Sequence, residues 1–480
     1  MDPSLFDFYL SDRSRRGPEP RGAFTGAAGG APCGDLIRLS LGVEASRIVV
    51  ATFDADGCAA TIAAGAALAE RVEGSPVLDA ARTSPADLAE ALGGLSPQGH
   101  HGAELAADAL HRALAALASS GESLAAPPSR GRVLVAISGG VDSAVATLLE
   151  RDRGVDVVAV TLKLWADQRT DGTRSCCSPQ AVLGARALAH RLGVPHLTLD
   201  LEQAFRSTVV ERFVDGYASG QTPNPCVVCN GELRIDAMIA LADRVGADSL
   251  ATGHYARVVD DGEGPLLAAP RDAAKDQTYM LSALGPGSLA RLRFPLADLN
   301  KPETRAIAEQ AGLPVAAKPD SQDLCFLAGE GKSGFLARHG RLSPRAGEIV
   351  DRSGRVIGRH RGHHEFTVGQ RRGLGVAAAA PLYVLATDPD SNRVVAGTRE
   401  ELAIHTVRVR DAHLRRDGAR VDRVKLRYRA RPLACTVDAG PGHHAELALR
   451  LDQPAFGVAP GQTACLMDGE AIVGHATIAS

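Results

Sequence analysis

A short apolar stretch followed by a glycine turn constrains the fold of this chain more than any other feature. Residues 133–137 form a β-branched, apolar run, which is typical of a strand buried on both faces. Ser138-Gly-Gly140 turns the chain, and residues 144–149 are predicted to be helical. Asp142 and Ser143 then fall in the first helical turn, where unpaired backbone N–H groups and the helix dipole favour an anion. The stretch therefore predicts a phosphate site at the carboxyl end of a buried strand.

The spacing of this turn separates it from other phosphate-binding motifs. It matches neither GxxxxGK(S/T) nor GxGxxG. Ser138-Gly-Gly-Val-Asp-Ser143 instead resembles the pyrophosphate-binding loop of the ATP pyrophosphatases, which split ATP into AMP and pyrophosphate. The alternative is an ordinary glycine-rich turn between a strand and a helix. The resemblance implies a site for ATP and Mg²⁺, with Asp142 as a candidate Mg²⁺ ligand. The implied nucleotide-binding residues are Ser138, Gly139, Gly140, Val141, Asp142, Ser143, Leu162 and Gly253.

Length and composition predict a multidomain protein that is not inserted in a membrane. A chain of 480 residues is long enough for roughly three domains. It has no run of 18 apolar residues, and residues 1–6 lack the basic and apolar regions of a secretory signal. We therefore expect a cytoplasmic protein. Nine cysteines in such a chain favour catalysis or metal binding over structural disulfides.

The net charge of −3 conceals an uneven distribution along the chain. Residues 1–120 carry 15 Asp and Glu against 9 Arg, whereas residues 331–376 carry 10 Lys and Arg against 3 Asp and Glu. A local basic block is a candidate contact surface for a polyanion. The alternative is a solvated, loop-rich surface without a partner.

The first 120 residues are predicted to form an α+β domain, with strands at 36–43 and 47–53 and helices near 61–72 and 104–118. This region resembles the iron–sulfur cluster scaffold family. The resemblance lies in Leu5-Phe-Asp-Phe-Tyr9, Pro32-Cys-Gly-Asp35, Asp56-Gly-Cys-Ala59 and the segment that begins at His100. It implies that a cluster is held by Cys33, Asp35, Cys58 and His101.

One ligand of that family is missing here, because its His-Cys pair reads His101-Gly102 in this chain. Thiolates are the usual iron–sulfur ligands. Three alternatives are open: the domain holds a cluster more weakly, it borrows a ligand, or it serves as a docking module. Residues 121–131, which include Pro127-Pro128, are predicted to be a linker to the next domain.

Residues 132–330 alternate between predicted strands and helices. Further strands are expected at 155–162, 194–199 and 248–252, and helices at 181–192 and 204–217. This alternation is typical of a parallel, doubly wound α/β sheet, whose sites lie at the carboxyl ends of the strands.

Cysteines in two separate segments are candidates for the chemistry. Cys226-Val-Val-Cys229 is by itself ambiguous, because CxxC occurs in redox pairs, half zinc sites and iron–sulfur sites. The prolines before Cys226 predict an extended, exposed loop, which suits a reactive thiol. The second segment is Asp320-Ser-Gln-Asp-Leu-Cys325-Phe326.

Together these motifs resemble the tRNA-specific 2-thiouridylase family over residues 132–480. The motifs that carry the resemblance are Ser138–Ser143, Thr222–Asn230, Thr252–Tyr255, Lys275–Tyr279, Asp320–Phe326, Thr367–Gly373 and Leu426–Arg429. The resemblance implies that ATP adenylates O2 of the wobble uridine of a tRNA. Sulfur then replaces that oxygen, and AMP and pyrophosphate are released.

The resemblance also implies roles for three cysteines. Cys325 carries the incoming sulfur as a persulfide, and Cys229 attacks the activated base or resolves the persulfide. Many members of the family carry aspartate where this chain has Cys226, so a second route is open. In that route Cys226, Cys229 and Cys325 hold a [4Fe–4S] cluster that binds sulfide. The sulfur donor is expected to be a cysteine desulfurase or a sulfur relay protein.

Beyond residue 330 the chain changes to short predicted strands with glycine and proline turns. We expect a small β-rich domain at 331–402 and a β-barrel at 403–480, with strands at 424–428 and 445–451. His254 is expected to position a flipped base or to form a structural hydrogen bond. The resemblance implies tRNA contacts from Asn224, Pro225, Cys226, His254, Lys275, Asp276, Gln277, Gln370, Arg427 and Tyr428.

Two other functions are compatible with parts of the sequence. One is a different ATP pyrophosphatase, such as an amide-forming ligase, which would not need the cysteine motifs. The other is an iron–sulfur scaffold or sulfur carrier whose carboxyl-terminal part docks tRNA or another partner. Such a carrier would not transfer sulfur to tRNA.

Overall fold

The computed structural model of the chain describes residues 3–30, 33–128, 131–165, 178–320, 324–327, 330–340 and 342–479. Pro32 and residues 321–323, which belong to the sequence motifs above, lie outside these ranges. Across the described ranges, no helix is both long enough and apolar enough to cross a membrane.

The amino-terminal domain is a three-stranded antiparallel sheet in the order β1-β2-β3, covered by helices. Its elements are α1 (Pro3–Ser11), β1 (Phe24–Gly29), β2 (Leu36–Glu44), β3 (Arg47–Asp56), α2 (Ala59–Val72), α3 (Val77–Ala80), α4 (Pro85–Ala91) and α5 (His100–Ser119). Alanine-rich α2 and α5 pack closely against the sheet, since small side chains allow backbones to approach. The expected α+β class is confirmed, and the structure adds α1, β1, α3 and α4 to the predicted elements.

The second domain is a five-stranded, fully parallel sheet in the order β10-β7-β4-β5-β6. Its elements are β4 (Arg132–Ala136), α6 (Val141–Asp152), β5 (Asp156–Lys163), α7 (Pro179–Arg191), β6 (His196–Asp200), α8 (Glu202–Phe205), α9 (Glu211–Ala218), α10 (Pro225–Cys229), α11 (Ile235–Arg244), β7 (Ser249–Thr252), β8 (Arg257–Asp260), β9 (Pro265–Ala268), α12 (Thr278–Leu281), α13 (Pro286–Arg291), β10 (Leu292–Arg293) and α14 (Lys301–Gln310). Val133 and Val135 face α6 and α7, whereas Leu134 packs with Met238 and Leu241 on the opposite face. Both faces of β4 are therefore buried, which explains its continuous apolar run and confirms the doubly wound fold.

The helix predicted over 204–217 is not continuous. A π-helical turn, Arg206–Val210, separates α8 from α9, and a second π-helical turn, Asn230–Arg234, joins α10 to α11. Turns of this kind are frequent at functional sites. Both lie at the carboxyl end of the sheet.

The carboxyl-terminal half consists of two β-rich units that follow α15 (Gly331–His339). The middle unit has the order β12-β11-β14-β13, from β11 (Gly347–Val350), β12 (Val356–His360), β13 (Tyr383–Asp388) and β14 (Arg393–Gly397). The last unit contains β15 (Ala403–Leu414), β16 (Arg423–Lys425), β17 (Leu433–Thr436), β18 (Gly442–Phe456), β19 (Thr463–Asp468) and β20 (Ala471–Ile478). Pairing of β15 with both β18 and β20 closes the expected barrel.

Two features of the barrel differ from the predictions. The hairpin β8–β9 of the second domain pairs with β20 and extends the barrel sheet. The strand predicted at 424–428 ends at Lys425, and Arg427 and Tyr428 lie in a turn. The turn is completed by Arg429, whose φ of 60° lies in the left-handed region and ends the extended conformation.

The amino-terminal domain is docked on the edge strand β6. The backbone N–H of His196 donates to the carbonyl of Ala81 at 3.1 Å, so part of the strand's open edge is paired. Arg244 donates to the carbonyls of Ala118 and Glu122, and Leu124 is fully buried in the connecting segment. Residues 121–128 thus lie against the second domain and contain neither helix nor strand.

A candidate nucleotide and cysteine site

The glycine turn after β4 folds into a closed loop at the start of α6. Gly139 has φ of 69°, a conformation that glycine adopts without strain. The Ser143 hydroxyl accepts from the Ser138 N–H at 3.0 Å and lies 3.1 Å from the carbonyl of Gly140. The first N–H groups of α6, a helix of 12 residues, are left at the mouth of the loop. This is the geometry expected for a phosphate site.

The ends of the two neighbouring strands complete the loop. A Cβ on Gly253, just after β7, would lie 2.7 Å from the backbone nitrogen of Ser143, so only glycine permits this approach. Leu162, at the end of β5, is 8% exposed and lines the adjoining cavity. Both residues were predicted as nucleotide contacts, and both lie beside the loop.

A cavity of about 310 Å³ opens beside the loop and contains both cysteine segments in its wall. Its wall combines loop residues, cysteines and polar side chains, namely Ser138, Asp142, Ser143, Cys226, Cys229, Asn230, Arg234, Gly253, His254, Gln277 and Cys325. The candidate nucleotide and sulfur sites therefore share one cavity.

The expected extended, exposed loop around Cys226 is wrong. Pro225–Cys229 is a short helix, α10, in which Cys229 is 8% exposed and Cys226 is half-buried. The Asn224 side chain caps it by accepting from the N–H groups of Cys226 and Val227 at 3.2 and 3.3 Å. Proline is compatible with the first helical position, because its missing N–H would have no partner there.

Cys325 is held in the cavity wall by its neighbour Phe326, which is 1% exposed. The Phe326 ring contacts Phe213 and Phe335 with centroids 5.1 and 5.0 Å apart. Phe335 in turn contacts Trp165 at 5.8 Å. These rings fasten the Cys325 segment to α9 and α15.

Four polar contacts connect the loop with Asp320 and Lys275, and two of their members, Lys301 and Arg305, were missed by sequence analysis. Lys301 Nζ lies 2.6 Å from Asp142 Oδ1 and 2.9 Å from Asp320 Oδ1. Asp320 also accepts from Lys275 at 2.8 Å and from Arg305 at 3.0 Å. Lys301 is the first residue of α14, whose start is capped by Asn300 and Glu303. Nothing in this local pattern indicates an ion pair with Asp142, which lies 159 residues earlier in the chain.

His254 lies in the cavity wall with its Nδ1 2.8 Å from the Thr252 hydroxyl. Burial, reinforced by the positive charge of Arg234, lowers the pKa of His254 to about 3. The ring is therefore neutral at physiological pH and acts as a hydrogen-bonding group.

The other residues predicted to touch tRNA occupy different environments. Asp276 accepts from Lys425 at 2.8 Å, and Gln277 accepts from the N–H of Tyr255 at 2.9 Å, so both take part in internal contacts. Gln370 caps its own turn by accepting from the N–H of Thr367. Arg427 is exposed, and Tyr428 packs against Tyr279 with centroids 6.3 Å apart.

The predicted scaffold ligands of the amino-terminal domain also lie near one another. Cys33 and Cys58 are exposed. A hydrogen bond with His101 lowers the pKa of Cys33, and the same hydrogen bond raises the pKa of His101. Asp35 is turned inward, because its two oxygens accept from the Cys58 N–H and the Thr61 hydroxyl, each at 2.8 Å.

Gly102 occupies a position where the fold leaves no room for a side chain. A Cβ there would lie 2.7 Å from backbone atoms of Ala60 and Thr61 at the start of α2. A third thiolate at this position would require α2 and α5 to separate. The described residues contain no group of three or more His, Cys, Asp or Glu arranged to hold a metal ion. Among the described residues, neither of the two predicted iron–sulfur clusters therefore has its ligands already arranged around a metal position, and both clusters stay predictions.

Four family models match successive parts of the chain. A NifU-like N terminal domain matches residues 3–121, and a tRNA methyl transferase HUP domain matches 131–329. A tRNA methyl transferase PRC-barrel domain matches 333–398, and an aminomethyltransferase beta-barrel domain matches 401–478.

Two curated relatives and one solved structure illustrate what the chain is similar to. The bifunctional protein NifU/MnmA of Rubrobacter xylanophilus is 49% identical over 95% of this chain and 93% of its own length. The tRNA-specific 2-thiouridylase MnmA of Acidithiobacillus ferrooxidans is 44% identical over 72% of this chain and 97% of its own. A 4-thiouridine synthetase–RNA complex with bound ATP is 22% identical with a TM-score of 0.28, covering 41% of this chain and 45% of that one. Such a low TM-score has no bearing on function. The sequence identity to the two curated relatives, in contrast, establishes the family. This chain belongs to the family of bifunctional proteins in which a NifU-like domain is joined to a tRNA-specific 2-thiouridylase.

Proposed function

We infer that this protein is an ATP-dependent tRNA 2-thiouridylase. It adenylates O2 of the wobble uridine and replaces that oxygen with sulfur, giving 2-thiouridine, AMP and pyrophosphate. The observation that carries this inference is the shared cavity, whose wall contains the loop residues Ser138 and Ser143 together with Cys229 and Cys325. A nucleotide site alone would serve any ligase, whereas two cysteines beside it serve sulfur transfer.

The first step activates the base. O2 of uracil attacks the α-phosphorus of ATP, and the bond from that phosphorus to the β-phosphate oxygen breaks. Pyrophosphate then leaves into the Ser138–Ser143 loop, where N–H groups of α6 stabilise its charge. Mg²⁺ bound through Asp142 would neutralise further phosphate charge. Oxygen at C2 now leaves as part of AMP, which is a far better leaving group than oxide.

In the second step we assign the sulfur to Cys325 as a persulfide. Its terminal sulfur attacks C2 of the adenylated uracil, and the bond from C2 to the AMP oxygen breaks. The Cys229 thiolate then attacks Cys325 Sγ, which breaks the S–S bond and leaves a Cys229–Cys325 disulfide and a thiocarbonyl. A thiol reductant reopens the disulfide for the next turnover. The persulfide comes from a cysteine desulfurase or a sulfur relay protein.

The substrate tRNA is proposed to lie across the carboxyl-terminal units. Exposed arginines of the basic segment 331–376 include Arg359, Arg361, Arg371 and Arg372, which suit phosphate contacts. The wobble base leaves its stack to reach the cavity, where neutral His254 and Gln277 are placed to hydrogen-bond its edge. We place this reaction in the cytoplasm.

A sulfur-transfer assay with labelled sulfur donor, ATP and wobble-uridine tRNA tests the proposal. Wild-type protein is expected to label tRNA, and Cys229→Ser and Cys325→Ser each to lower the rate at least about a thousandfold, because each removes a reacting sulfur. Cys435→Ala, in the barrel core, is the matched control and retains activity. Label on the protein but never on tRNA would favour the sulfur carrier instead.

Cys226→Ser separates the two sulfur routes. The persulfide route needs only Cys229 and Cys325, and it predicts that this variant keeps activity. The cluster route predicts loss of activity, with iron and an EPR signal in anaerobically purified wild-type protein. Active, iron-free wild-type protein would exclude the cluster.

A further inference from the structure

Lys301 lies beside the candidate anion site, yet its ammonium group already has two carboxylate partners. Lys301 is 8% exposed, and its Nζ joins Asp142 of the loop to Asp320 at 2.6 and 2.9 Å. A buried lysine that bridges two carboxylates is electrostatically satisfied, and it is also held at the position where phosphate charge would arrive.

Asp320 is surrounded by positive charge. Its carboxylate accepts from Lys275 at 2.8 Å, Lys301 at 2.9 Å and Arg305 at 3.0 Å. Although burial acts to raise it, hydrogen bonds from Lys275 and Lys301 lower the pKa of Asp320 to about 2, so the group is ionised throughout the physiological range. One carboxylate neutralises only one of these three cations, so positive charge is left in excess around Asp320.

The same cations surround the loop itself. Lys318 Nζ donates to the carbonyl of Gly139 at 2.9 Å, and Lys301 contacts Asp142. Counting Lys275, Lys301, Arg305 and Lys318 against Asp142, Asp320 and Asp272, which accepts from the Lys301 N–H at 3.0 Å, four positive charges face three negative ones. The net charge of +1 is of the sign that attracts a pyrophosphate anion.

We propose that Asp320 is an internal stand-in for pyrophosphate, and that Lys301 is the positioning residue which transfers from Asp320 to the phosphate when the anion occupies the loop. The charge-assisted hydrogen bond from Lys301 to the carboxylate is then replaced by one to a phosphoryl oxygen. Asp320, whose side chain is 24% exposed, keeps its contacts with Lys275 and Arg305.

The proposal rests on the proposed function, because it takes pyrophosphate to be the group released into the loop.

Pyrophosphate binding to the full-length protein tests the exchange without tRNA or a sulfur donor. Titration calorimetry compares the wild type with Lys301→Met, Asp320→Asn and the control Lys163→Met, whose lysine pairs with Asp200 and Glu202 outside the cavity. We expect Lys301→Met to weaken binding about ten- to a hundredfold, because a charged hydrogen-bonding partner is lost. Asp320→Asn is expected to bind several-fold more tightly, because no carboxylate competes. Lys163→Met is expected to bind like the wild type.

Equal or weaker pyrophosphate binding by Asp320→Asn would overturn the proposal, since a purely structural carboxylate predicts that result. So would unchanged binding by Lys301→Met, or a wild type that binds no pyrophosphate. Failure of the thiouridylase function is a separate result, namely a wild type that does not label tRNA.

Discussion

At the scale of single residues, burial decides what the cavity groups can do. His254 was expected either to position the base or to form a structural hydrogen bond, and its pKa of about 3 limits it to hydrogen bonding. Cys229 is buried in a short capped helix instead of an exposed loop.

The pH dependence of thiolation tests the state of His254. Because its pKa is lowered, the ring takes a proton only near pH 3, and His254→Gln is expected to lower kcat/KM without changing the shape of the pH profile between pH 5 and 9. The measurement is kcat/KM for wobble-uridine tRNA across that range. An inflection near pH 6.5 that disappears in the variant would show that the histidine titrates.

At the scale of elements, the site is made by three parallel strands that end together. The loop after β4 is closed by the Ser143 hydroxyl, and the end of β7 packs on it through Gly253. Sequence analysis found the loop because its signals are local. The helix cap at Asn224-Pro225 was also readable from sequence, since asparagine before proline is a helix-start pattern, but it was interpreted as an extended loop.

Gly253→Ala tests the contact between β7 and the loop. The added Cβ would meet the backbone nitrogen of Ser143 at 2.7 Å, so we expect the loop to be displaced and ATP affinity to fall at least about tenfold. Gly184→Ala, on α7, is the control, because its Cβ would meet nothing within 4 Å. The measurement is the Kd for ATP of both variants, with melting temperatures to establish folding. Unchanged ATP affinity in Gly253→Ala would show that the loop tolerates the contact.

At the scale of the whole molecule, the amino-terminal domain is fixed on the second domain with a defined direction. Asp108 pairs with Arg186 at 3.1 Å, and one turn later the ring of His111 contacts that of His190 at 5.2 Å. Going from Asp108 to His111 advances about one turn along α5, and going from Arg186 to His190 advances about one turn along α7. The two helices therefore run in the same direction. The start of α5, with His101, therefore points toward the start of α7, which is the end of the sheet where the nucleotide loop lies.

This interface contains three histidines that are buried without charge. Burial lowers the pKa of His111, His190 and His196, and the charge of Arg186 adds to the effect. The other charged groups that face them are Asp87, Arg82 and Asp108. The histidines gain protons on unfolding in the range between their lowered pKa values in the folded protein and their ordinary pKa of 6.5.

The stability of the docked protein is therefore expected to depend on pH. In this range the unfolded state binds more protons than the folded state, so the free energy of unfolding falls as pH falls, and the dependence fades as pH rises above 6.5. His111→Gln, which can still donate to the carbonyl of Thr83, is expected to reduce the slope by up to about 1.4 kcal/mol per pH unit, the value for one proton. His100→Gln, on the exposed start of α5, is the control.

Denaturant unfolding of the full chain between pH 5 and 8 gives the slopes directly. Identical slopes for the wild type and His111→Gln would mean that His111 is already protonated in the folded protein. A reduced slope in His100→Gln would mean that the dependence does not come from the interface.

The sequence alone determined the properties that depend on neighbouring residues. The phosphate loop, the buried strand before it and the helix after it follow from glycine, β-branched side chains and free N–H groups within about 18 residues, and these effects do not need the rest of the chain. Only the tertiary structure decided which distant groups meet. The Lys301 bridge from Asp142 to Asp320, the hairpin β8–β9 on the barrel and the histidine interface join segments far apart in sequence. Such contacts are set by how whole elements pack, and no local pattern of residues encodes them.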